Sequence, residues 1–411
     1  MRIFFSVGEP SGDLHGANLI RDLKARQPEI ESTGFGGPKM QEQGCDLLFD
    51  LTALAVMGIW NVLKHVRKFF ALLDQADEYL ANHQVDAVVL IDYPGFNWWI
   101  ARKARKHDIP VFYYGVPQMW AWLPWRVHKL RRLVDHVICK LPFEVPWFQE
   151  RGCPATYVGH PYFDELDRYQ MDQAFCQQRL ASLTQDETRK HLVLLPGSRT
   201  QEVKRNLPWL IESAKQVQKQ HPAIQVSISC LRESHADYTK SELAKLESGQ
   251  HESIQVYSGK TPELILTSDA CVACSGSVSL ELLYHRKPTV IVYRVSAMVM
   301  MLQYLLLRTR FITLVNMLDQ KHIEKSRTPH YDPNALPSAV AMPEYLRWRN
   351  CSSEISAWLD RWFGDPAALK QTQNQLNDLA DKYAHPGASV AAAEFVLQKL
   401  SANRSTTRQA A

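Results

Sequence analysis

LVLLPGSRTQEVKRN, residues 192–206, reads as a buried apolar strand, a tight Gly197-Ser198-Arg199 turn and a helix rich in basic residues. Such a turn points backbone N–H groups and a helix N-terminus at one spot, where the helix dipole favours an anion. Arg199 adds a planar fork of donors that matches a phosphate. A second glycine-rich strand-to-helix turn, VGEPSGDLHG at 7–16, opens the chain. Two such turns in two halves predict two nucleotide-binding-type domains facing one cleft.

Working outward, short β-branched runs alternate with helical stretches. Strands are expected at 2–7, 86–91, 110–114, 135–139 and 155–158, and again at 191–195, 224–230, 254–257, 270–273 and 289–293. Helical patterns at 14–26, 60–82 and 202–219 fall between them, the α/β alternation of parallel sheets wrapped by helices. At 411 residues the chain is too long for one ordinary domain. We place an N-terminal Rossmann-like domain at 1–165 and a C-terminal one at 166–369. The polar stretch 164–190 reads as the linker, 328–343 as an irregular proline-rich insertion, and 366–400 as a helical tail with a frayed polar end. The helices of 370–402 are expected to pack on the N-terminal domain or on a partner subunit.

Hydrophobic content of 45% with 22% charged residues is that of a well-cored globular protein, and a net charge of +4 gives no argument for nucleic acid. The N-terminus begins at once with strand-like RIFFSVG rather than a secretory signal, so the eight cysteines read as reduced cytosolic thiols. Cys271 and Cys274 form a CxxC inside an apolar run with no second pair, which reads as structural rather than zinc-binding. The longest uncharged run near 295–307 is too short to span a bilayer, which takes about 20 residues.

In doubly wound sheets ligands bind beyond the carboxyl ends of the strands, so those loops are where chemistry is expected. In GEPSGDLHG, Gly8, Gly12 and Gly16 permit a tight turn close to a ligand, while Ser11 and Asp13 can cap the following helix; capping alone explains that pair equally well. The glycine spacing is not the dinucleotide pattern, which disfavours a nicotinamide cofactor. AVVLIDYPGFNWW, 87–99, ends a strand in Asp92, followed by a Pro-Gly turn and Asn97. A carboxylate there suits a general base, and it also suits a turn former. VPQMWAWLPWRVHKLRR, 116–132, offers Trp120 and Trp122 to a sugar or lipid, or to an aromatic cluster at the edge of the core. In DACVACSGSVSLELLYHRKP, 269–288, Ser275-Gly276-Ser277 opens a helix bearing Glu281, which can accept two ribose hydroxyls or act as a capping partner. A second anion-type turn beside PGSR favours the nucleotide reading.

MGIWNVLKHVRKFFALL, 57–73, sets Ile59, Leu63, Val66, Phe70 and Leu73 along one side at helical spacing, with Trp60 and Phe69 widening the arc and Lys64, His65, Arg67 and Lys68 flanking it. Such a helix can lie in an anionic bilayer surface or pack on its own sheet. The run 295–307, bounded by Arg294, Arg308 and Arg310, is a candidate second contact.

GEPSGDLHGANLIRDLK, AVMGIWNVLKHV, IDYPGFN, PQMWAW, LPFE, VGHP, LLPGSRTQEV and SGSVSLE together resemble, in order, the motifs of the lipid-A-disaccharide synthase family over about 2–318. The resemblance implies a GT-B fold with C-terminal helices returning to the N-terminal domain. It implies inverting transfer of 2,3-diacylglucosamine from UDP to the 6-hydroxyl of 2,3-diacylglucosamine 1-phosphate. It makes Asp92 the general base and gives Gly197, Ser198, Arg199, Ser275, Gly276, Ser277, Glu281 and Asn316 to the nucleotide-sugar. Gly8, Ser11, Gly12, Asp13, Asn97, Trp120, Trp122 and His160 fall to the acceptor side or the cleft. No cofactor or metal is expected, since the UDP-sugar is itself a substrate. The partners implied are acylated glucosamine lipids and the cytoplasmic face of the inner membrane, which would place the protein in the cytoplasm at that surface. Some members exchange C-terminal helices between subunits, which implies a homodimer. After Asn316 the family pattern is interrupted by an insertion at 319–343, and we match Glu344 to the family's acidic residue. The same architecture admits a UDP-sugar 2-epimerase, and 57–73 alone would admit a non-catalytic peripheral membrane protein.

Overall fold

The computed structural model describes residues 1–53, 66–184, 189–246, 254–320, 323–324, 331–335, 338 and 340–410. Two compact units emerge: Met1–Asp164 with Pro386–Ala411, and Glu165–His385.

The first unit is a seven-stranded sheet of β1 (Arg2–Val7), β2 (Glu31–Gly36), β3 (Cys45–Asp50), β4 (Ala87–Ile91), β5 (Val111–Tyr114), β6 (His136–Cys139) and β7 (Ala155–Tyr157). Every pairing is parallel and the order is β3-β2-β1-β4-β5-β6-β7. The chain therefore fills one side of β1, then returns to fill the other. That reversal leaves the carboxyl ends of β1 and β4 free of a crossing connection, as doubly wound sheets do at a ligand crevice. The strands are apolar on both faces, for instance Phe4 and Phe5 at 0% exposure, because helices cover both.

The second unit is a six-stranded parallel sheet of β8 (Lys190–Leu195), β9 (Ile224–Cys230), β10 (Ile254–Ser258), β11 (Ala270–Cys274), β12 (Thr289–Arg294) and β13 (Glu344–Arg347). Its order is β10-β9-β8-β11-β12-β13, so the reversal falls between β8 and β11. The PGSR and SGS turns leave these two strands side by side: a Cβ on Gly197 would stand 3.6 Å from that of Cys274. Cys271 and Cys274 are buried in β11, and burial pushes both thiols up to about 12, so they pack as protonated apolar groups.

The ten expected strands are present to within one residue at either end, and β2, β3 and β13 are additions. The expected linker is structured. Helices Tyr162–Arg168 and Gln173–Thr184 span most of it, and Arg179 is buried in the second unit against Nε2 of His191 and Oγ of Ser227. Burying that guanidinium among four polar partners, with Gln255 and Tyr257, explains why so polar a stretch is packed. Of the expected insertion, the described residues form no element of regular structure before β13 apart from an isolated bridge of Glu324 to Thr309.

The two C-terminal helices divide between the units. Helix Pro366–Tyr383 stays with the second, where Thr372 accepts the indole N–H of Trp362 and Lys382 pairs with Asp319. Helix Ala388–Ala410 runs on past the tail expected to fray, and Ala392, Ala393, Val396 and Leu400 complete the core of the first unit against Ile3, Phe5 and Leu19. Its first turn is held by Asp164, whose carboxylate accepts from the backbone N–H groups of Gly387, Ala388 and Ser389 and from the Ser389 hydroxyl. One buried carboxylate thus answers several orphan N–H groups of a helix start. Asp164→Ala leaves them unsatisfied, and should cost roughly 2–4 kcal/mol in denaturant unfolding and open the last helix to early proteolysis; an unchanged denaturation midpoint would contradict this cap.

Candidate functional site

In the first unit, Asp92 stands directly after β4, beside the reversal. Asp92 and Tyr93 both take left-handed backbone conformations, at φ 45° and 43°, which strains non-glycine residues and has to be held from outside. Asn97 holds it. Buried at 0% exposure, its amide donates to the carbonyls of Ser6, Ile91 and Asp92, the last at 2.8 Å, and its oxygen accepts from the Ser6 hydroxyl at 2.6 Å. The Tyr113 hydroxyl adds a bond to the Asp92 carbonyl at 2.7 Å. Asn97 is therefore spent on the backbone of β1 and β4 rather than offered to a ligand.

With its backbone fixed, Asp92 meets Lys140, whose ammonium lies 3.3 Å from Oδ1. The sequence reading missed this lysine, although a basic residue directly after the apolar run HVIC was visible. Two other motifs position it. Glu144 of LPFE is buried, accepts from the backbone N–H groups of Lys140 and Leu141, and accepts the indole N–H of Trp120 at 3.0 Å. Trp120 is 1% exposed and packs edge-on against Phe143, so its place is the core. Trp122 is half-buried in the same loop, and Trp125 is the exposed member of the cluster. Gly115, at φ +65°, leaves room for the ion pair: a Cβ there would come within 2.8 Å of the lysine nitrogen and 3.1 Å of Oδ1. Burial, together with Lys140 and His15, pushes His160 well below the usual histidine value, so it is neutral. Its Nδ1 accepts from the backbone N–H of Tyr162, which leaves the proton on Nε2.

The opening loop divides. Gly8 lies under the ring of Tyr93, and Gly12 approaches Oδ2 of Asp92, where an added Cβ would stand 3.8 Å away. Ser11 is exposed within the first turn of helix Pro10–Arg26. Asp13 caps a different helix from the one expected: buried, it accepts from the N–H groups of Gly37, Lys39 and Met40, at the start of helix Pro38–Glu42. Proline at the first position starts helix Pro10–Arg26 earlier than expected, which puts Ser11 and Asp13 inside it.

In the second unit the PGSR turn holds an anion of its own. Gly197, at φ +134°, folds the loop back so that the N–H groups of Ser198 and Arg199 both donate to Oε2 of Glu202 at 3.2 Å, while the Arg199 guanidinium meets Oε1 at 3.1 Å. The donors expected to face a ligand are engaged by this carboxylate. Arg199 remains largely exposed, at 80% for its side chain. It borders a recess of about 390 Å3 together with Thr200, Glu202, Arg205, Tyr293 and Arg294. Arg294 is set by stacking its guanidinium over Trp209 at 4.6 Å. Arg199 at the N-cap of the 21-residue helix Thr200–Gln220, Arg205 on its second turn and Arg294 at the end of β12 bring three guanidinium groups to this recess.

The neighbouring SGS turn is open: Gly276 and Ser277 are exposed, and Ser275 donates to the Ile312 carbonyl. Glu281 is buried on the short helix Val278–Tyr284. Asn316, expected at the diphosphate, is turned inward. Its amide donates to the Met342 carbonyl and to Glu344, and its oxygen accepts from Met342 N–H. Glu344 in turn accepts from the backbone N–H groups of Ile312 and Thr313, at 2.8 and 3.0 Å. Both residues thus secure the loop beside the SGS turn to β13, and neither presents a free polar group to a ligand. Of the expected membrane face, Ile59, Trp60, Leu63 and the Val66 side chain lie outside the described residues. Phe69 packs on Phe96, Leu73 is buried in the core, and Phe70 is 50% exposed beside the exposed Trp99.

Against known proteins, the family model described as lipid-A-disaccharide synthetase matches residues 3–330. The chain is 32% identical over 403 residues to the lipid-A-disaccharide synthase of Myxococcus xanthus, covering 98% of both, and 37% identical over 316 residues to that of Trichlorobacter lovleyi, covering 77% of this chain and 80% of that one. Among solved structures it resembles the UDP-GlcNAc 2-epimerase of Neisseria meningitidis bound to UDP-GlcNAc, with TM-score 0.58, 11% identity and 97% and 99% of the two chains covered. It also resembles a glycosyltransferase of Rickettsia africae, with TM-score 0.57, 8% identity and 97% and 98% covered. At such identities these two structures speak for the two-unit α/β fold alone.

Burial raises Glu344 from its ordinary 4.5 to about 7, outweighing the N–H groups that favour its charged form. The folded chain then keeps this proton up to about pH 7, while an unfolded chain releases it near 4.5, so folding binds a proton in that window and stability falls as pH rises through it. Relative to Glu344→Gln, the parent chain should lose roughly 1–3 kcal/mol of stability between pH 5 and pH 8. Parallel melting-temperature profiles for the two proteins would refute this assignment.

Proposed function

The chain belongs to the lipid-A-disaccharide synthase family of glycosyltransferases, and on that premise we propose how its residues carry the reaction. The reaction is transfer of 2,3-diacylglucosamine from UDP to the 6-hydroxyl of 2,3-diacylglucosamine 1-phosphate, with inversion, giving the β-1,6 disaccharide 1-phosphate and UDP. The observation that carries the residue assignment is Asp92, a carboxylate held on a strained left-handed turn at the carboxyl end of β4 and paired with Lys140. Strain of this kind persists only where the surroundings enforce it, and here Asn97 and Tyr113 do so.

In the proposed reaction the Asp92 carboxylate accepts the proton of the acceptor hydroxyl as its oxygen attacks the anomeric carbon, and the bond to UDP breaks on the opposite face. One displacement inverts the configuration. Lys140 balances the carboxylate before the proton arrives. Neutral His160, with its proton on Nε2, supplies a donor to a sugar oxygen on the acceptor side. Negative charge grows on the departing diphosphate, and the Arg199, Arg205 and Arg294 recess offers it three guanidinium groups. A diphosphate there competes with Glu202 for the Ser198 and Arg199 N–H groups. The exposed SGS turn and Glu281 are assigned to the nucleoside.

The substrates carry acyl chains, so access to a membrane surface belongs to the same reading. No helix among the described residues is long and apolar enough to cross a bilayer. The surface we assign to lipid in the first unit is Phe70 with Trp99, rimmed by Arg67, Lys68 and Arg102, continuous in sequence with 57–66. Attachment there would place the protein at the cytoplasmic face of the inner membrane. Exchange of helix Ala388–Ala410 between two copies would give a homodimer, with Asp164 capping the incoming helix.

With the acylated UDP-sugar and the 1-phosphate acceptor, the expected products are UDP and the disaccharide; turnover of UDP-N-acetylglucosamine without acceptor would instead favour an epimerase. Asp92→Asn should lower kcat by about 10²–10⁴-fold with UDP binding retained, and full turnover would remove the base assignment. Arg199→Ala should raise KM for the donor by about ten-fold or more, the loss of one charge-assisted contact; unchanged donor kinetics would discard the recess as the diphosphate site.

A further inference from the structure

Helix Ala297–Leu306, AMVMMLQYLL, is ten residues without a charge, set in the second unit between β12 and the loop that carries Asn316. A helix in a globular unit normally turns its apolar side inward. This one leaves Met298 74% exposed, Met301 63%, Leu302 51% and Leu306 40%. Those positions follow one another at i, i+3, i+4 and i+8, so they form a continuous stripe about 12 Å long rather than scattered side chains. Soluble surfaces tolerate single apolar residues but seldom a contiguous run of this kind without a partner.

The charge around the stripe identifies that partner. Arg294 precedes the helix by three residues and Arg308 follows it by two, with Arg310 just beyond. Arg308 is exposed. Arg294 is partly exposed and braced over Trp209, its Nη1 on the Arg205 carbonyl. Arg310 is stacked between Phe311 and Tyr331. Cations thus stand at both ends of an uncharged apolar stripe, and no acidic residue interrupts it. Thioether and aliphatic side chains with arginines at the flanks match an acyl layer with anionic headgroups above it.

We propose that helix Ala297–Leu306 is a bilayer-docking element of the second unit, with its methionine and leucine face lying among acyl chains and Arg308 on anionic headgroups. It is additional to the aromatic surface of the first unit. The proposal deepens the reading of this chain as an enzyme of lipid substrates, but vesicle binding is measured without substrate, so the two stand or fall separately.

The test uses the full chain and sucrose-loaded vesicles of phosphatidylcholine, with and without 30% phosphatidylglycerol, in a sedimentation assay. Met301→Asp, at an exposed position where folding is unaffected, should lower partitioning onto both vesicle types by about ten-fold. Arg308→Glu should lower it by about five-fold or more on the anionic vesicles and leave the neutral ones unchanged. Both variants should turn over detergent-dispersed substrates at the parent rate. Partitioning of Met301→Asp equal to the parent's overturns the proposal. So does a loss of activity in detergent, which would give the helix to the substrate's own chains. A fall in molecular mass by light scattering would also overturn it, by giving the face to a second copy of this chain. Failure of the transferase assay with vesicle binding intact would count against the reaction and leave this docking element standing.

Discussion

Each parallel sheet of this chain reverses its order of filling at one place, and most of the candidate site positions follow from where that happens. In the first unit the reversal falls between β1 and β4, and in the second between β8 and β11. Elsewhere a crossing connection runs over the carboxyl ends of the strands. At the reversals the chain leaves in opposite directions, through the segments Gly8–Glu9, Asp92–Tyr93, Pro196–Arg199 and Ser275–Ser277. The first reversal carries a carboxylate with a lysine, the second a basic recess. Their different chemistry comes from a few residues grafted on the same geometry.

Carboxylates bound to backbone N–H groups recur throughout. Asp13, Glu144, Asp164, Glu202 and Glu344 each accept from two or more main-chain donors. Each takes main-chain N–H groups at a turn or helix start where they would otherwise be orphaned. Asp92 differs from these five in having its carboxylate beside a lysine. Glu202 accepts from the arginine side chain as well as from the main chain of its turn.

Much of this was legible in sequence, because buried parallel strands are written as apolar runs. VVLI, LVLL and TVIV need no context. The strands that escaped notice are ESTGFG, CDLLFD and EYLR, whose polar and glycine content hides them. Ser32 and Thr33 are buried by the sheet's neighbours, not by their own hydrophobicity, and β13 is only four residues long. The site was legible as loops and less so as roles. Asn97, Asp13, Trp120 and Asn316 all stood among the candidate site residues, yet their polar groups are spent on structure. Whether an amide faces a ligand or a carbonyl depends on which distant strand lies beside it, as Ser6 lies beside Asn97 across 91 residues. Lys140 was missed for the complementary reason, since its partner is 48 positions away.

Helix Ala388–Ala410 belongs to the core begun by the first strand, with the whole second unit threaded between them. The order of synthesis is therefore not the order of completion. While the chain emerges, Ile3, Phe5 and Leu19 must wait with one side uncovered until helix Ala388–Ala410 leaves the ribosome, so the second unit can finish folding before the first. A truncation of a few dozen residues at the C-terminus would be felt at the other end of the gene, as aggregation of an N-terminal sheet that lost its final layer.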